Sequence, residues 1–586
     1  MYKIVFRLAL LFIIFNGMRT YAYSADINAD SCSQSDVLAA ISSTNTGDTV
    51  SIPAGNCTWS TTVTIPNEKK LAIQGAGKDS TVITMSPVGT AVALNSSGSR
   101  LTGIGFIDGK ITTNGYDFRI DHCAITLTTA GTGIYATPSI TGMTIAKGVI
   151  DNNILTNAGV TAGGTLYSLN DGEVQHQLWA NDLNLGTDEA VYIEDNTFYK
   201  SGFGNYIDSN YGGRYVFRYN TTSGVGYLEA HSSQNNNRAT RKWEIYGNII
   251  NATNNSYAPL RIRGGTGVIF LNSVIGLWTT NKVLFDTVRN STSYVADDNI
   301  TGNGRCDGDN VWDGNTVANG WPCRDQIGRG GDAVQWENDP AGTYTQTLVP
   351  AYVWDNRKEA NAVVPVEILA DSVSYILANR DYYDYNTSFN GTSGVGCGTL
   401  AARPVTCTAG VGYWATNQSC SNLTGLVGAN PIAPISGTLY KCTATDVWEE
   451  YYTPYVYPHP LSGNATITIA DSDPKSVDTS TTDVTVSYNI APPTCKWRLG
   501  SVPDASNGTA FSGYNPTITG LSEGENILYV ACDGPNNEYA WSVNDSLTIN
   551  RGATVAVGKI PVSVINAGNI SASKVNNGNV AVTAVH

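Results

Sequence analysis

A short strand-forming pattern recurs along the chain, and in each copy an apolar residue stands three positions before a polar one. The last members of six such runs are 30, 43, 24, 28 and 24 residues apart, and they are Cys123, Asn153, Asn196, Asn220, Asn248 and Asn272. A period of about two dozen residues without helical patterning predicts a parallel β-solenoid, in which each coil buries its inward side chains against the next. Asn tolerates a left-handed backbone and bonds to an identical neighbour one coil away, so we expect these residues to stack in one row at a turn.

The composition fits such a repeat. Charged residues are 14% of the 586 residues and Gly occupies 60 positions, whereas a globular domain usually carries about 25% charged residues and about 7% Gly. A solenoid needs turn residues at every coil and can do without many surface ion pairs. A place where the few charges crowd together is therefore informative.

The Asn-ended runs, together with residues 36–41, 47–55 and 71–77, resemble the right-handed parallel β-helix proteins of the pectate lyase-like superfamily. The resemblance covers roughly residues 30 to 460 and implies a short capping helix followed by the opening strands. We therefore expect an all-β chain whose β-helix domain spans residues 25–462. The superfamily hosts lyases, hydrolases and adhesins alike, so the fold does not fix the chemistry.

A change of composition after residue 462 predicts a second domain over residues 463–550. Alternating strands occur there, and Cys495, Trp497 and Cys532 lie among them, in a pattern that resembles bacterial immunoglobulin-like or fibronectin-III-like modules. Residues 551–586 are a tail for which no structure is predicted.

Residues 1–24 have the build of a secretory signal peptide, because Lys3 and Arg7 precede an apolar run over residues 8–15 and small residues follow. That run is too short to span a bilayer, and no other stretch is long and apolar enough. Loss of the signal peptide changes the formal net charge from −15 to −18. A strongly acidic exported protein is a poor partner for nucleic acid.

The chain has 11 cysteines, and an oxidising compartment predicts disulfides between neighbours. The expected pairs are Cys32–Cys57, Cys306–Cys323, Cys397–Cys407, Cys420–Cys442 and Cys495–Cys532, and pairing of 397 with 420 and of 407 with 442 is the open alternative. Cys123 is left over. Because it stands where later coils have Asn, we interpret it as a buried thiol and not as a nucleophile.

A second set of strand-like segments carries an unusual concentration of charge. Coils of a β-helix stack about 4.8 Å apart, so equivalent outward side chains form a column. The predicted column contains Asp208, Glu229, His231, Arg261, Arg263 and Asp286, and the loops between add Arg214, Arg238 and Arg241. Tyr206, Tyr211 and Tyr227 lie in the same coils, where aromatic faces would serve as platforms for sugar rings.

These residue types suit cleavage of a uronic acid polymer by β-elimination. The reaction needs a cation that neutralises the carboxylate and a base that removes the adjacent proton. We expect His231 to be the base, with Asp208, Glu229 and Arg241 completing the catalytic set. Arg214, Arg238, Arg261 and Arg263 would bind the substrate with the three tyrosines. Lyases of the resembled superfamily often use calcium, which Asp208, Glu229 and Asp286 would hold.

Two other functions use the same residues. A glycoside hydrolase needs two carboxylates, and Asp208 and Glu229 on neighbouring coils would supply them. A glycan-binding adhesin or surface protein would instead use the charged column as a ladder of salt bridges. In all three cases the expected partner is an extracellular polysaccharide.

Overall fold

The structure is a computed structural model that describes residues 25–137, 146–163, 182–232, 239–279, 282–286, 325–330, 347–370, 372–373, 375–418, 420, 434–462, 467–469, 471, 474–477, 479–488, 494–503, 507–511, 516–533 and 543–551. The predicted signal peptide, the tail from residue 552 and the Cys306–Cys323 pair lie outside these residues. The chain divides into two compact units, Met1–Ser462 and Gly463–His586. No helix in the described part of the chain is both long and apolar enough to cross a membrane.

The first unit is a parallel β-helix built on two long sheets, as the repeat predicts. Sheet A has twelve strands, and every neighbouring pair in it is parallel. In spatial order the strands are Asp26–Asn28, Thr49–Ile52, Ala72–Gly75, Arg100–Thr102, Phe118–Asp121, Gly148–Asp151, Val191–Glu194, Arg214–Arg218, Lys242–Tyr246, Thr266–Phe270, Ala351–Trp354 and Tyr382–Tyr383.

Sheet B has thirteen strands and is also parallel throughout. In chain order they are Gly55–Trp59, Val63–Ile65, Thr81–Leu94, Gly105–Thr113, Ala124–Ala136, Ile154–Gly163, Thr197–Asn210, Thr221–Ala230, Ile249–Ser256, Leu260–Ile262, Ser273–Trp278, Val283–Phe285 and Val366–Ile368. The longer strands contain register shifts, for example between Thr126 and Gly131, so each has a first and a second segment. Bulges of this kind change the direction in which the following side chains point.

The predicted Asn row is confirmed. The backbone N–H of Asn153 donates to Oδ1 of Asn196 at 2.9 Å, and the same bond repeats from Asn196 to Asn220, Asn248 and Asn272. The row extends one step further than predicted, to Asn356. Each coil thereby satisfies buried backbone groups of the next at its turn.

Cys123 begins this row. Its N–H donates to Oδ1 of Asn153 at 2.9 Å, and its thiol is fully buried. Burial raises the pKa of the Cys123 thiol to about 12. The interpretation of Cys123 as a buried thiol is therefore confirmed.

The interior between the sheets is filled by aliphatic and aromatic side chains that point inward from alternate strand positions. The capping helix Gln34–Ser43 closes one end of this core with Val37 and Ile41, and Ser33 caps it by accepting a bond from the Asp36 N–H at 3.3 Å. Short 3-10 helices cover Glu359–Asn361, Leu400–Ala402 and Pro460–Ser462.

The described part of the first unit also contains two small sheets. One contains the strands Val395–Gly398, Gly412–Ala415, Thr438–Ala444 and Val447–Tyr452, and the other pairs Arg329–Gly330 with Thr347–Leu348. The four-stranded sheet packs with the outer face of sheet A in one apolar cluster that includes Tyr246, Phe270 and Trp354. Residues 455–459, which follow the four-stranded sheet in the chain, also lie on the outer face of sheet A.

The disulfides follow strand pairing more than sequence proximity. Cys32–Cys57 is formed as predicted. The predicted pairs Cys397–Cys407 and Cys420–Cys442 are wrong, because the bonds are Cys397–Cys420 and Cys407–Cys442. The Cys442 N–H donates to the carbonyl of Val411 at 2.9 Å, which holds the strand of Cys442 against the loop that carries Cys407.

The second unit has nine described strands in three small sheets that share one core. They are Ile467–Ile469, Lys475–Val477, Thr481–Asp483, Val486–Tyr488, Thr494–Leu499, Thr509–Phe511, Thr517–Thr519, Gly524–Asp533 and Val543–Arg551. Cys495 is disulfide-bonded and lies directly opposite Cys532 on antiparallel strands. This register agrees with the predicted pairing.

Candidate functional site

The predicted charged column lies on the second segments of sheet B. Leu228 and Ala230 point into the core, so Glu229 between them lies on the outer face. Glu229 pairs with Arg261 in the next strand, and Ile207 pairs with Leu228, which places Asp208 beside Glu229. The stacking of coils thus brings together side chains that are 53 residues apart in the sequence.

Asp208 and His231 form a hydrogen-bonded pair at the partly open surface of this face. Nδ1 of His231 lies 2.5 Å from Oδ1 of Asp208, and the two side chains are 15% and 20% exposed. The His231 N–H donates to the carbonyl of Ser209, which fixes the backbone from which the ring projects. A carboxylate on Nδ1 sets the tautomer of a histidine, and the other ring nitrogen is left to act on a ligand.

Glu229 lies deeper and is held from several sides. Its carboxylate forms an ion pair with Arg263, and both side chains are only 3% exposed. The Asn205 amide donates to Oε2 of Glu229 at 2.7 Å, and the Tyr227 hydroxyl also bonds to this carboxylate. Burial, and then the charge of Glu229, raise the pKa of the Tyr227 phenol. Glu229 therefore organises the site and is not open to a polymer.

Among the described cations of the column, Arg261 is more exposed than Arg263. Its side chain is 21% exposed, and its Nε donates to Oδ2 of the fully buried Asp286 at 2.8 Å. This bond leaves part of a planar guanidinium near the surface, and in the strand register Arg261 lies one coil beyond Glu229. A guanidinium in this setting suits a carboxylate ligand.

The donor atoms do not fit the calcium site implied by the resemblance. Among the described residues, Asp208, Glu229 and His231 have ligand atoms within 4.8 Å of one another, whereas Asp286 is not in this group and pairs with Arg261. Calcium takes about six to eight oxygen ligands. Here one donor is an imidazole, and a guanidinium already binds the buried carboxylate.

A second group of potential ligands consists of Asp355, Cys397 and Cys420. Its two sulfurs form a disulfide and offer no thiolate.

Several predicted site residues lie elsewhere. Arg214 is the first residue of a sheet A strand and donates to the carbonyl of Asp182 at 2.6 Å. Arg241 directly precedes the next strand of sheet A, is 1% exposed and packs against Gly330. Tyr206 is fully buried in the core, so its predicted role as a sugar platform is wrong. Tyr211 is half-buried in the turn after Asn210. Arg238 lies outside the described residues.

The burial of Tyr206 has a local cause. The pairing of Thr197–Asn210 with Thr221–Ala230 is in register at Asn205 with Tyr227 and resumes at Ile207 with Leu228. Tyr206 is the additional residue of this bulge, and the bulge reverses which side chains point inward. The sequence pattern gives no sign of this extra residue.

Two residues of this face were not predicted. Asn205 bonds to Glu229, and Phe203 lies against Tyr227 with a ring-centroid distance of 5.1 Å. Their only signal in the sequence is their position one coil before Tyr227.

No protein-family model matches this chain, and no curated protein sequence matches it.

Proposed function

We propose that this protein is an exported lyase of the pectate lyase-like type that cleaves an acidic, uronic acid-containing polysaccharide by β-elimination. The observation that supports this proposal best is the hydrogen-bonded pair of Asp208 and His231 on the same outer face as Arg261, whose side chain is 21% exposed. Among the described residues, this pair joins a partly exposed imidazole to an oriented carboxylate on the outer face of sheet B. The disulfides Cys32–Cys57, Cys397–Cys420 and Cys407–Cys442 agree with an oxidising compartment.

Each group has a distinct role in the proposed reaction. Arg261 binds the uronate carboxylate and so acidifies the neighbouring C–H. The free ring nitrogen of His231 takes that proton, and Asp208 stabilises the imidazolium that forms. The C–H electrons form a C=C bond as the bond from carbon to the glycosidic oxygen breaks, and the leaving oxygen takes a proton from water. Arg263 and Asn205 hold Glu229 behind the reacting groups.

The accessibility of Glu229 favours a lyase over a glycoside hydrolase. A hydrolase needs two carboxyl groups that flank the scissile bond. Asp208 is paired with His231, and Glu229 is 2% exposed and bound to Arg263 and Asn205. A sugar ring cannot reach both carboxyl groups at once without displacing these partners.

The test is a panel of uronic acid polymers incubated with the mature protein. A lyase creates a C=C bond conjugated to the carboxylate, so absorbance in the ultraviolet near ~232 nm rises together with new reducing ends, as expected for proton abstraction next to a carboxylate. New reducing ends without this absorbance would overturn the lyase and favour the hydrolase. Binding without either signal would favour the adhesin.

A further inference from the structure

The most exposed aromatic side chain in the described part of the chain is Phe203. Its side chain is 66% exposed, whereas the next two exposed aromatics, Tyr116 and Tyr199, are each 44% exposed. Exposing a large apolar ring to water is unfavourable, and what lies beside a single exposed ring decides whether it marks a binding surface.

The bend that carries Phe203 is tied to the neighbouring coils. The ammonium of Lys200 is fully buried and donates to the carbonyls of Gly131 and Asn157, both at 3.2 Å. The N–H and the hydroxyl of Ser201 both bond to Oδ1 of Asn157 at 2.9 Å. Four hydrogen bonds thus anchor Lys200 and Ser201, the two residues that precede Gly202 and Phe203.

Phe203 is also connected to the candidate site. Its ring lies 5.1 Å from that of Tyr227 at an interplanar angle of 34°. The Tyr227 hydroxyl bonds to Glu229, whose carboxylate belongs to the same cluster as Asp208 and His231. Phe203 is therefore linked to the cluster of Asp208, Glu229 and His231 through Tyr227, which is itself buried beneath the exposed ring.

We propose that Phe203, backed by Tyr227, is a binding subsite on which one sugar ring of the acidic polymer stacks while another uronate of the same polymer lies at Asp208, His231 and Arg261. This inference rests on the proposed polysaccharide substrate. The C–H face of a pyranose carries a partial positive charge that the negative face of an aromatic ring attracts, and the same contact removes apolar surface from water. Phe203 is a positioning residue, because it does not touch the reacting atoms.

The test compares Phe203→Ala with Phe203→Trp and with Tyr199→Ala as the matched control. Tyr199 is an exposed aromatic residue on the first segment of the same strand, away from the cluster. For Phe203→Ala we expect KM on the polymer to rise about 10-fold with kcat within about twofold, which corresponds to the loss of one apolar contact. Phe203→Trp and Tyr199→Ala should stay within about twofold of the wild type, because a platform survives in each.

Retardation of each polymer in native affinity gels separates the platform from the lyase. If the wild type binds a polymer without cleaving it and Phe203→Ala weakens retardation, the Phe203 subsite is supported and the lyase proposal is overturned. If Phe203→Ala binds and cleaves like the wild type, the platform is overturned and the lyase is not. Absence of any binding by the wild type overturns both. A change in sedimentation without a change in retardation would show that Phe203 contacts a second copy of the chain, which also overturns the proposal.

Discussion

The same coils carry charges on two outer faces, and on only one of them, among the described residues compared, do some of these charges reach the surface. On sheet A, Glu194 and Arg218 are fully buried and form an ion pair of 2.6 Å. On sheet B, Asp208, His231 and Arg261 are 15–21% exposed. Both sets arise from the same stacking of strands, so crowding of charge does not by itself mark a functional site.

What differs is the cover. Residues 455–459 lie on sheet A, where Arg218 donates to the carbonyls of Tyr455 and Val456 and the His459 N–H donates to Glu194. Burial, followed by the charge of Arg218, lowers the pKa of His459 to about 3. The covered face uses its charges to hold the chain, whereas the partly open face leaves an imidazole and a guanidinium within reach of solvent. The comparison makes predictions about both faces.

The largest effect is expected from His231→Gln on the open face. Gln keeps a polar side chain but cannot take a proton, so we expect kcat on the cleaved polymer to fall by about 10²- to 10⁴-fold. Stability in urea should change by less than about 1 kcal/mol, because the side chain is partly exposed. Steady-state kinetics and urea unfolding measure the two quantities.

The matched control is His122→Asn, in the turn at the end of a sheet A strand. His122 also bonds through Nδ1 to an aspartate, at 2.8 Å to Asp121, and its side chain is 25% exposed. Its φ of 52° suits Asn, which holds the corresponding turn position in the next coil at residue 152. Activity within about threefold of the wild type is expected; an equal loss in both variants would show that the two faces are not functionally distinct.

The next largest effect is expected from Arg218→Ala on the covered face, and it concerns stability. Removing the guanidinium leaves the buried Glu194 without its cation and frees the carbonyls of Tyr455 and Val456. Breaking a buried pair in this way costs about 3–5 kcal/mol. We expect a lower free energy of unfolding in urea and earlier proteolytic cleavage near residue 455.

Lys147→Ala is the control for this prediction. Lys147 is 30% exposed and pairs at 3.4 Å with Asp117 and Asp188, which are 41% and 50% exposed. The loss should be below about 1 kcal/mol. Similar losses in Arg218→Ala and Lys147→Ala would mean that the cover of sheet A does not depend on its buried charges.

A smaller effect with the opposite sign is expected from Asp195→Asn. The Tyr457 hydroxyl donates to Oδ1 of Asp195 at 2.7 Å, and burial raises the pKa of this carboxyl to about 7. Because the pKa in the folded state exceeds the unfolded value of about 3.9, the carboxyl adds stability at low pH that is lost as pH rises through 7. Asn keeps the acceptor, so Asp195→Asn should be more stable by about 1–2 kcal/mol at pH 8 and no more stable below pH ~4.

Urea unfolding at pH 4, 6 and 8 checks the Asp195→Asn variant. Asp108→Asn is its control, because Asp108 has a similar left-handed φ of 55° and accepts a bond from the exposed backbone N–H of Thr128. A gain that is the same at pH 4 and pH 8 would contradict the assignment to the Asp195 carboxyl.

The fold was predictable because its signals are local and repeat. Asn153 to Asn272 fix one turn of each coil, and their spacing gives the strand order of both sheets. The last member, Asn356, escaped prediction because 84 residues separate it from Asn272, so an insertion interrupts the period. The pairing of Cys397 with Cys420 likewise depends on which strands meet in space, which sequence distance does not encode.

The site was only partly predictable. The column of Asp208, Glu229 and Arg261 follows from strand register, which the repeat supplies. The repeat does not predict which of these side chains remain exposed to solvent, because their exposure depends on bulges within strands and on residues far away in the sequence that pack over the sheet. A one-residue bulge turns Tyr206 inward, and Arg214 is covered by the carbonyl of Asp182.

The smallest effect is expected from removal of divalent cations. If Arg261 neutralises the uronate, as the open face suggests, dialysis against EDTA should leave the rate of absorbance increase within about twofold of the untreated protein, because a guanidinium binds a carboxylate without metal. Arg261→Lys is the companion variant: a point charge replaces a planar fork, so KM should rise about 10-fold with EDTA or without it. A loss of activity in EDTA that calcium restores would show that a metal cation, and not Arg261, neutralises the uronate carboxylate on sheet B. The proposed difference between the two faces, in which sheet B offers a guanidinium to the substrate and sheet A buries its guanidinium, would then fail.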